Sequence, residues 1–309
     1  MNKPIIKSAF IKCLVLCALA LVFFSCGKED YHYKGVPKPY EYGSDEEVEP
    51  DPAGLKIMSF NIRYKNSGDK GVQNWDARGP AVIAMLEEEK PVLMGVQECL
   101  SDQKNFILKK CSRYGAIGVG RDDGKNSGEM MLIFYDKNAV SIVDWGTFWL
   151  SETPDVPSKS WDSACKRSAT WARIRINATG KELFYTNTHL DHVYDYTRAE
   201  QMKGLESMMK ELTPAGLPMV LTAAFNTDQN SSIFNGISEF MYNARKSSPM
   251  TDSKGTYNAF GSRTGSIIDN IFYSKTGLKS LRYRTVTTAF AGISYISDHY
   301  PIYAILEFQ

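Results

Sequence analysis

An excess of charge of either sign is nearly absent from this 309-residue chain: 36 Lys and Arg face 35 Asp and Glu, a formal net charge of +1. Lys3, Lys7 and Lys12 lie in the first 25 residues with no acid beside them; without these, 33 bases face 35 acids, a balance of −2. A broadly basic nucleic-acid-coating surface and a polybasic membrane patch are thereby excluded, while a small local basic site stays open. Internal repeats of the solenoid or propeller kind are also absent. At 43% hydrophobic and 12% aromatic residues, the composition excludes collagen-like, coiled-coil and wholly disordered chains. The length permits two domains at roughly 150 residues each, or one domain with a large core.

Cysteine is sparse and sits at no metal-ligand spacing. Cys13 and Cys17 lie in an apolar run from Cys13 to Phe24, and Cys26 follows it, which leaves Cys99, Cys111 and Cys165. An odd set argues against a disulfide framework; buried free thiols are expected, with a single bridge as the alternative. The apolar run is short for a membrane span of about 20 residues, and with lysines before it reads as a signal-peptide core. Ser25-Cys26 resembles a lipobox, at which bacterial lipoproteins are cleaved and the cysteine acylated, and Lys28-Glu29-Asp30 resembles the charged lipoprotein export signal of the Bacteroidota. That resemblance implies a signal peptide over 1–25 and a lipid on Cys26 seated in the outer membrane. It implies a lipoprotein on the cell surface of a Gram-negative bacterium. A secretory signal cut elsewhere, or an uncleaved anchor, is the alternative. Residues 26–54 are rich in Pro, Glu, Asp and Tyr without an apolar period and read as a disordered acidic tether.

From residue 55 to 309 short apolar strands alternate with periodic helices. Strand patterns run from Leu55 to Arg63, Pro91 to Glu98, Leu132 to Tyr135, Ala172 to Ile176, Leu183 to Thr188, Met219 to Phe225 and Pro301 to Phe308. Ala81 to Glu88 reads as a helix with Pro80 near its first turn. Thr197-Arg-Ala-Glu200 has the pattern of a capping box and introduces a stripe of Leu205, Met208, Met209 and Leu212 at helical spacing. The mixture predicts a single α/β sandwich.

The polar residues of interest stand where strands end: Asn61, Glu98, His189, Asp191, Asn226, Asp269, Asp298 and His299. Singly, each has a structural reading, since an Asn can close a turn, a Glu can cap a helix and a His can be a satisfied core residue. Together they are the side chains that metal-assisted phosphoester hydrolysis needs, at the strand ends where open α/β proteins gather ligands.

In order along the chain, SFNIRY at 59–64, VQE at 96–98, NTHLDH at 187–192, Phe225-Asn226, IDNIF at 268–272 and SDHYP at 297–301 resemble the blocks of the endonuclease/exonuclease/phosphatase family. Segments 118–124 and 146–157 resemble its bacterial metal-dependent hydrolase branch. The resemblance implies a deoxyribonuclease I-like four-layer α/β sandwich, two mixed sheets face to face with helices outside. It implies Mg²⁺, or Mn²⁺, held by Asn61, Glu98 and Asp298, oxygen donors suited to a hard ion. His299, paired with Asp269, would activate water; His189 would donate to a phosphate oxygen; Asn226 would contact the phosphate or the nucleophile. Asp191 and His192 would support the site from behind or be plain structural residues; separately from the resemblance, a base or sugar stacked near the tryptophans at 145–171 would bring Arg167 or Arg121 to phosphate. No stable protein partner is implied.

One departure stands out: the family's Gly-Asp-Phe-Asn block reads Ala223-Ala224-Phe225-Asn226 here, so the carboxylate that assists proton transfer is a methyl group. Asp228 is out of register to replace it, and Asn270 stands where an aromatic residue is usual. Two functions therefore remain, a Mg²⁺-dependent hydrolase of phosphoesters and a degenerate surface lipoprotein that binds a phosphorylated or glycan ligand without turnover. Trp145, Trp149, Trp161 and Trp171 cluster in sequence near Lys159, Lys166 and Arg167, but packing accounts for such residues in strands. None is assigned to a substrate.

Overall fold

Alternation of apolar and polar residues gives each strand one face to bury and a second to cover with helices. The computed structural model describes residues 49–309. In chain order the strands are β1 (Leu55–Asn61), β2 (Leu93–Cys99), β3 (Tyr114–Ile117), β4 (Met130–Asp136), β5 (Val140–Trp149), β6 (Ser168–Ile176), β7 (Glu182–His189), β8 (Met219–Ala224), β9 (Met241–Asn243), β10 (Asp269–Ser274), β11 (Leu278–Thr285) and β12 (Ile302–Phe308). They form two six-stranded sheets, ordered β11-β12-β1-β2-β4-β3 and β5-β6-β7-β8-β10-β9. Each sheet contains one parallel pair, β1 with β2 and β7 with β8. These are the pairs whose connections carry the long helices α1 (Trp75–Glu89) and α3 (Asp195–Leu212), as a parallel crossover requires.

Between the sheets Ile57, Leu93, Ile133 and Ile302 meet Ile174, Tyr185, Val220 and Ile271. Outside the first sheet α1 and α2 (Ser101–Lys110) set Met85, Leu86 and Ile107 against Phe60, Met94 and Phe134. Outside the second, Leu205 and Met209 of α3 pack on Leu221 and Phe272, with Met208 and Leu212 half-buried beside them. The architecture is the four-layer α/β sandwich expected from the sequence.

Two local expectations are corrected. Helix α1 begins at Trp75, capped by the Asn74 side chain, so Pro80 lies inside it rather than in its first turn. The Thr197 segment is no capping box, because α3 starts earlier with Tyr194 as its N-cap; the Thr197 hydroxyl instead donates to the Trp161 carbonyl. Cys99 and Cys111 are free and buried as read. The signal segment, Cys26 and the tether up to residue 48 lie outside the described residues. Among the described residues no helix is long and apolar enough to cross a membrane.

The inward faces change character along their length, and this gradient builds the site. On β1 the sequence of inward residues is Ile57, Ser59, Asn61; on β7 it is Leu183, Tyr185, Asn187, His189; on β8 it is Val220, Thr222, Ala224. The middle step is a polar floor. Gln97 donates to Asn187 Oδ1 at 2.7 Å and to Ser59 Oγ at 3.2 Å, and Thr222 Oγ1 donates to the same Asn187 oxygen at 3.1 Å. Asn187 Nδ2 bridges to the carbonyls of Val96 and Leu132 across the sandwich, each at 2.9 Å. These bonds tie the two facing sheets to each other across the sandwich. Gly95 is required there, since a Cβ would stand 2.0 Å from Thr222 Oγ1.

Candidate active site

Glu98 is the residue that alternation alone would misplace. Gln97 faces inward, so its successor should face out; a register shift between Val96 and Cys99 and a left-handed φ of 62° at Glu98 turn the carboxylate toward the rim. Arg63 and Asn226 adopt the same left-handed region, φ 59° and 55°, at the other strand ends that build the site. For non-glycine residues such backbone costs on the order of 1–3 kcal/mol and persists where the surroundings enforce it.

Asn61 Nδ2 donates to Glu98 Oε1 at 2.9 Å, and the Asn61 carbonyl accepts from Ser297 Oγ at 2.7 Å. Ser297 Oγ also lies 3.3 Å from Asp298 Oδ1, which brings β1, β2 and the loop before β12 together. Both carboxylates are buried. Arg63 binds Asp69 through Nη2 and Nε at 2.9 and 3.1 Å and approaches Asp298 Oδ2 at 3.6 Å. Burial would push its guanidinium pKa down, but Asp69, Asp298 and Glu98 hold it above the ordinary value. Arg78, wholly buried in α1, donates to the carbonyls of Ile62 and Ile296 and so clamps the two loops that present Asn61 and Asp298.

His299 Nδ1 donates to Asp269 Oδ2 at 2.8 Å, both side chains buried, which leaves Nε2 as the basic nitrogen. Asp269 Oδ1 has no hydrogen-bond partner. Across the second sheet His189, Ala224 and Asp269 are directly paired on β7, β8 and β10, a single row along one face. The absent carboxylate would therefore stand between a histidine and the aspartate that serves His299. Asn226 Nδ2 donates to His189 Nε2 at 3.0 Å and to the Leu190 carbonyl at 2.9 Å, so Asn226 orients His189 with its amide hydrogens. Asp228 is exposed and accepts from the Asn230 amide, so it does not stand in for the missing acid.

Asp191 accepts from the amides of Ala164 and Val193 and from Ser163 Oγ. Burial raises its pKa, but those amides and the Arg167 charge outweigh it and hold the carboxyl below the ordinary range. Arg167 is buried, with Nη2 3.0 Å from His192 Nδ1 and Nε unpartnered. Burial first, and then the neighbouring Arg121, push its pKa down to about 10, so it stays charged at neutral pH. Arg121 is held by a bidentate pair with Glu129 at 2.9 and 3.0 Å, and Trp149 Nε1 donates to its carbonyl. A buried cation with an unspent N–H beside a second cation is a receptacle for an anion.

The donor set also fits a hard cation. Around Asn61 the buried carboxylates Glu98, Asp298 and Asp69 stand together beside the guanidiniums Arg63 and Arg78, oxygen donors of the kind a hard cation takes. Among the described residues no group of three or more His, Cys, Asp or Glu forms a cage. An ion here would take Glu98, Asp298 and the Asn61 amide and keep several waters, as Mg²⁺ tolerates. The sequence reading had not singled out Arg63, Arg78, Asp69 or Ser297. The first two were visible only as bases near Asn61; their partners lie on distant segments.

The structure brings Asn61, Glu98 and Asp298 to one side of the rim and His189, Asn226, Asp269 and His299 to the other, with Arg167, Asp191 and His192 adjoining. This defines a class, the α/β-sandwich proteins with acids and histidines at the rim of two facing sheets. No family model matches the chain. It is similar to a mannosyl-6-phosphatase of Bacteroides thetaiotaomicron, 34% identical with a TM-score of 0.77, covering 82% of this chain and 100% of that one. It is similar to two endonuclease/exonuclease/phosphatase family proteins. One, from Bacteroides thetaiotaomicron, is 34% identical (TM-score 0.78); the other, from Bacteroides vulgatus, is 33% identical (TM-score 0.78). Each match covers 84% of this chain and 100% of the relative. The chain belongs to the endonuclease/exonuclease/phosphatase family.

Proposed function

We propose that the protein is a divalent-metal-dependent hydrolase of phosphate monoesters. The observation that carries this reading is the buried His299–Asp269 pair standing opposite Glu98, Asn61 and Asp298 at a single rim. The similar mannosyl-6-phosphatase makes a sugar phosphate the leading substrate class. Glu98, Asp298 and Asn61 would hold Mg²⁺ or Mn²⁺, which would supply charge neutralisation at the phosphate. Asp269 fixes the His299 tautomer, and Nε2 takes a proton from the attacking water. His189, oriented by Asn226, and the buried Arg167 stabilise charge on the phosphate oxygens. Replacing Glu98 with Gln keeps the side-chain volume and removes a charge, so calorimetry should show Mg²⁺ affinity lowered at least tenfold, about 1.4 kcal/mol. Unchanged affinity would take Glu98 out of the metal site.

One observation favours a second reading. Ala224 leaves a methyl group in the row between His189 and Asp269. A protein that binds phosphorylated or glycan ligands without turnover would show the same geometry.

The lipoprotein reading belongs to this proposal. Asp51 is bound by Lys56, Arg282 and Tyr303, so the chain enters the domain near Leu55, at the start of β1. Asn61 ends the same strand, so roughly 20 Å of sheet separates the entry from the site rim. A lipid on Cys26 would tether the domain at the end of β1 far from the rim. The full-length protein should sediment with membranes and its Cys26→Ala form should not; a variant that still sediments would mean an uncleaved anchor.

A further inference from the structure

A cavity of about 500 Å³ opens beside the site, lined by Lys159, Ser160, Trp161, Asp162, Ser163 and Tyr194. We propose that it is a monosaccharide subsite, which seats the ring of a hexose phosphate whose phosphate reaches Arg167 and His189. This rests on the phosphomonoesterase reading above and adds to it the residues that recognise the organic part of the substrate.

Three observations place the cavity against the phosphate end. Its wall is tied to the strand-end segment that follows His189: Ser163 Oγ lies 3.2 Å from Asp191 Oδ2, Ala164 N donates to that oxygen at 2.9 Å, and Thr197 binds the Trp161 carbonyl. Tyr194 follows His192, the partner of Arg167, by two residues, at most about 7 Å of chain. The Asp191 carboxyl thus holds the cavity wall on one oxygen and the turn leading to Tyr194 on the other.

The lining chooses the ligand chemistry. The volume falls within the range of about 300–1,000 Å³ usual for small-molecule sites. Two aromatic side chains, Trp161 and Tyr194, give flat apolar faces, and Tyr194 is 53% exposed. Around them stand the Lys159 ammonium, the Asp162 carboxylate and the Ser160 hydroxyl, a set that matches a ring carrying apolar C–H faces and hydroxyls at its edge. A lipid chain would need continuous apolar lining, which two aromatics do not provide. Trp161 and Asp162, both on left-handed backbone with φ 56° and 58°, line the cavity side by side.

The test is binding to the full mature chain in EDTA, where no hydrolysis is expected, followed by calorimetry or tryptophan fluorescence. The probes are mannose 6-phosphate, methyl α-mannoside and inorganic phosphate. The expected result is that mannose 6-phosphate binds at least tenfold more tightly than phosphate. Trp161→Ala should abolish that advantage while leaving phosphate affinity unchanged, and Trp161→Phe should keep most of it. The phosphate-free mannoside should bind weakly, and Trp161→Ala should abolish that binding. Equal affinity for phosphate and mannose 6-phosphate in the wild type overturns the subsite, as does a Trp161→Ala variant that weakens all three probes alike. Mannoside binding without any phosphate binding would leave the subsite standing and sink the phosphomonoesterase reading instead.

Discussion

His299→Ala is expected to lower kcat for phosphomonoester hydrolysis by about 10²- to 10⁴-fold, with KM changed little. The imidazole is the basic group with its tautomer fixed by a buried carboxylate, Nδ1 donating to Asp269 Oδ2 at 2.8 Å. Asp269→Asn should cost nearly as much, because an amide at that position can donate and so favours the wrong tautomer. Combining the two should cost little beyond either alone, since they act as a unit. Additive losses in steady-state kinetics, on variants with wild-type melting temperature, would mean that Asp269 works apart from His299.

Ala224→Asp is expected to raise kcat at least about tenfold at saturating Mg²⁺, equivalent to roughly 1.4 kcal/mol of transition-state stabilisation. The position is already paired with His189 on one side and Asp269 on the other, so a carboxylate there enters a row with its neighbours in place. The like charge of Asp269 opposes it, and the adjacent His189 favours it. Ala223→Gly should not be needed for the gain. Ala223 packs in the outer core with Leu205 and Met209, is paired in a regular ladder and shows no left-handed backbone. A folded, metal-bound Ala224→Asp protein with no gain would favour the ligand-binding reading.

The four layers were legible because the inward apolar residues repeat every second position and α3 carries its stripe at helical spacing. The rim residues were legible as polar side chains at strand ends, the point where the period-2 face passes from Ile57 through Ser59 to Asn61. What could not be read was what depends on distant partners or on backbone twist. The bulge that re-aims Glu98 shows in the sequence only as one more residue in an apolar run. Pro80 suggested a helix start because the cap at Asn74 lies upstream of a stretch with little apolar signal. Thr197 matched a capping pattern and instead secures the cavity loop through Trp161. Arg78, which lies ahead of the helix read from Ala81 to Glu88, is fully buried among loop carbonyls from distant segments. Trp161, set aside as packing, lines a cavity; Trp149 and Trp171 do pack, the latter stacked on Phe184.

The central claim is that the acids and histidines at the rim perform metal-dependent hydrolysis. It is tested most directly by phosphate release from mannose 6-phosphate and p-nitrophenyl phosphate by the mature protein, with Mg²⁺ or with EDTA, beside Glu98→Gln. The account predicts release that requires Mg²⁺, stops in EDTA and falls sharply in Glu98→Gln. Release that is indifferent to EDTA and to Glu98→Gln, or no release by either the wild-type or the Ala224→Asp protein, would contradict it.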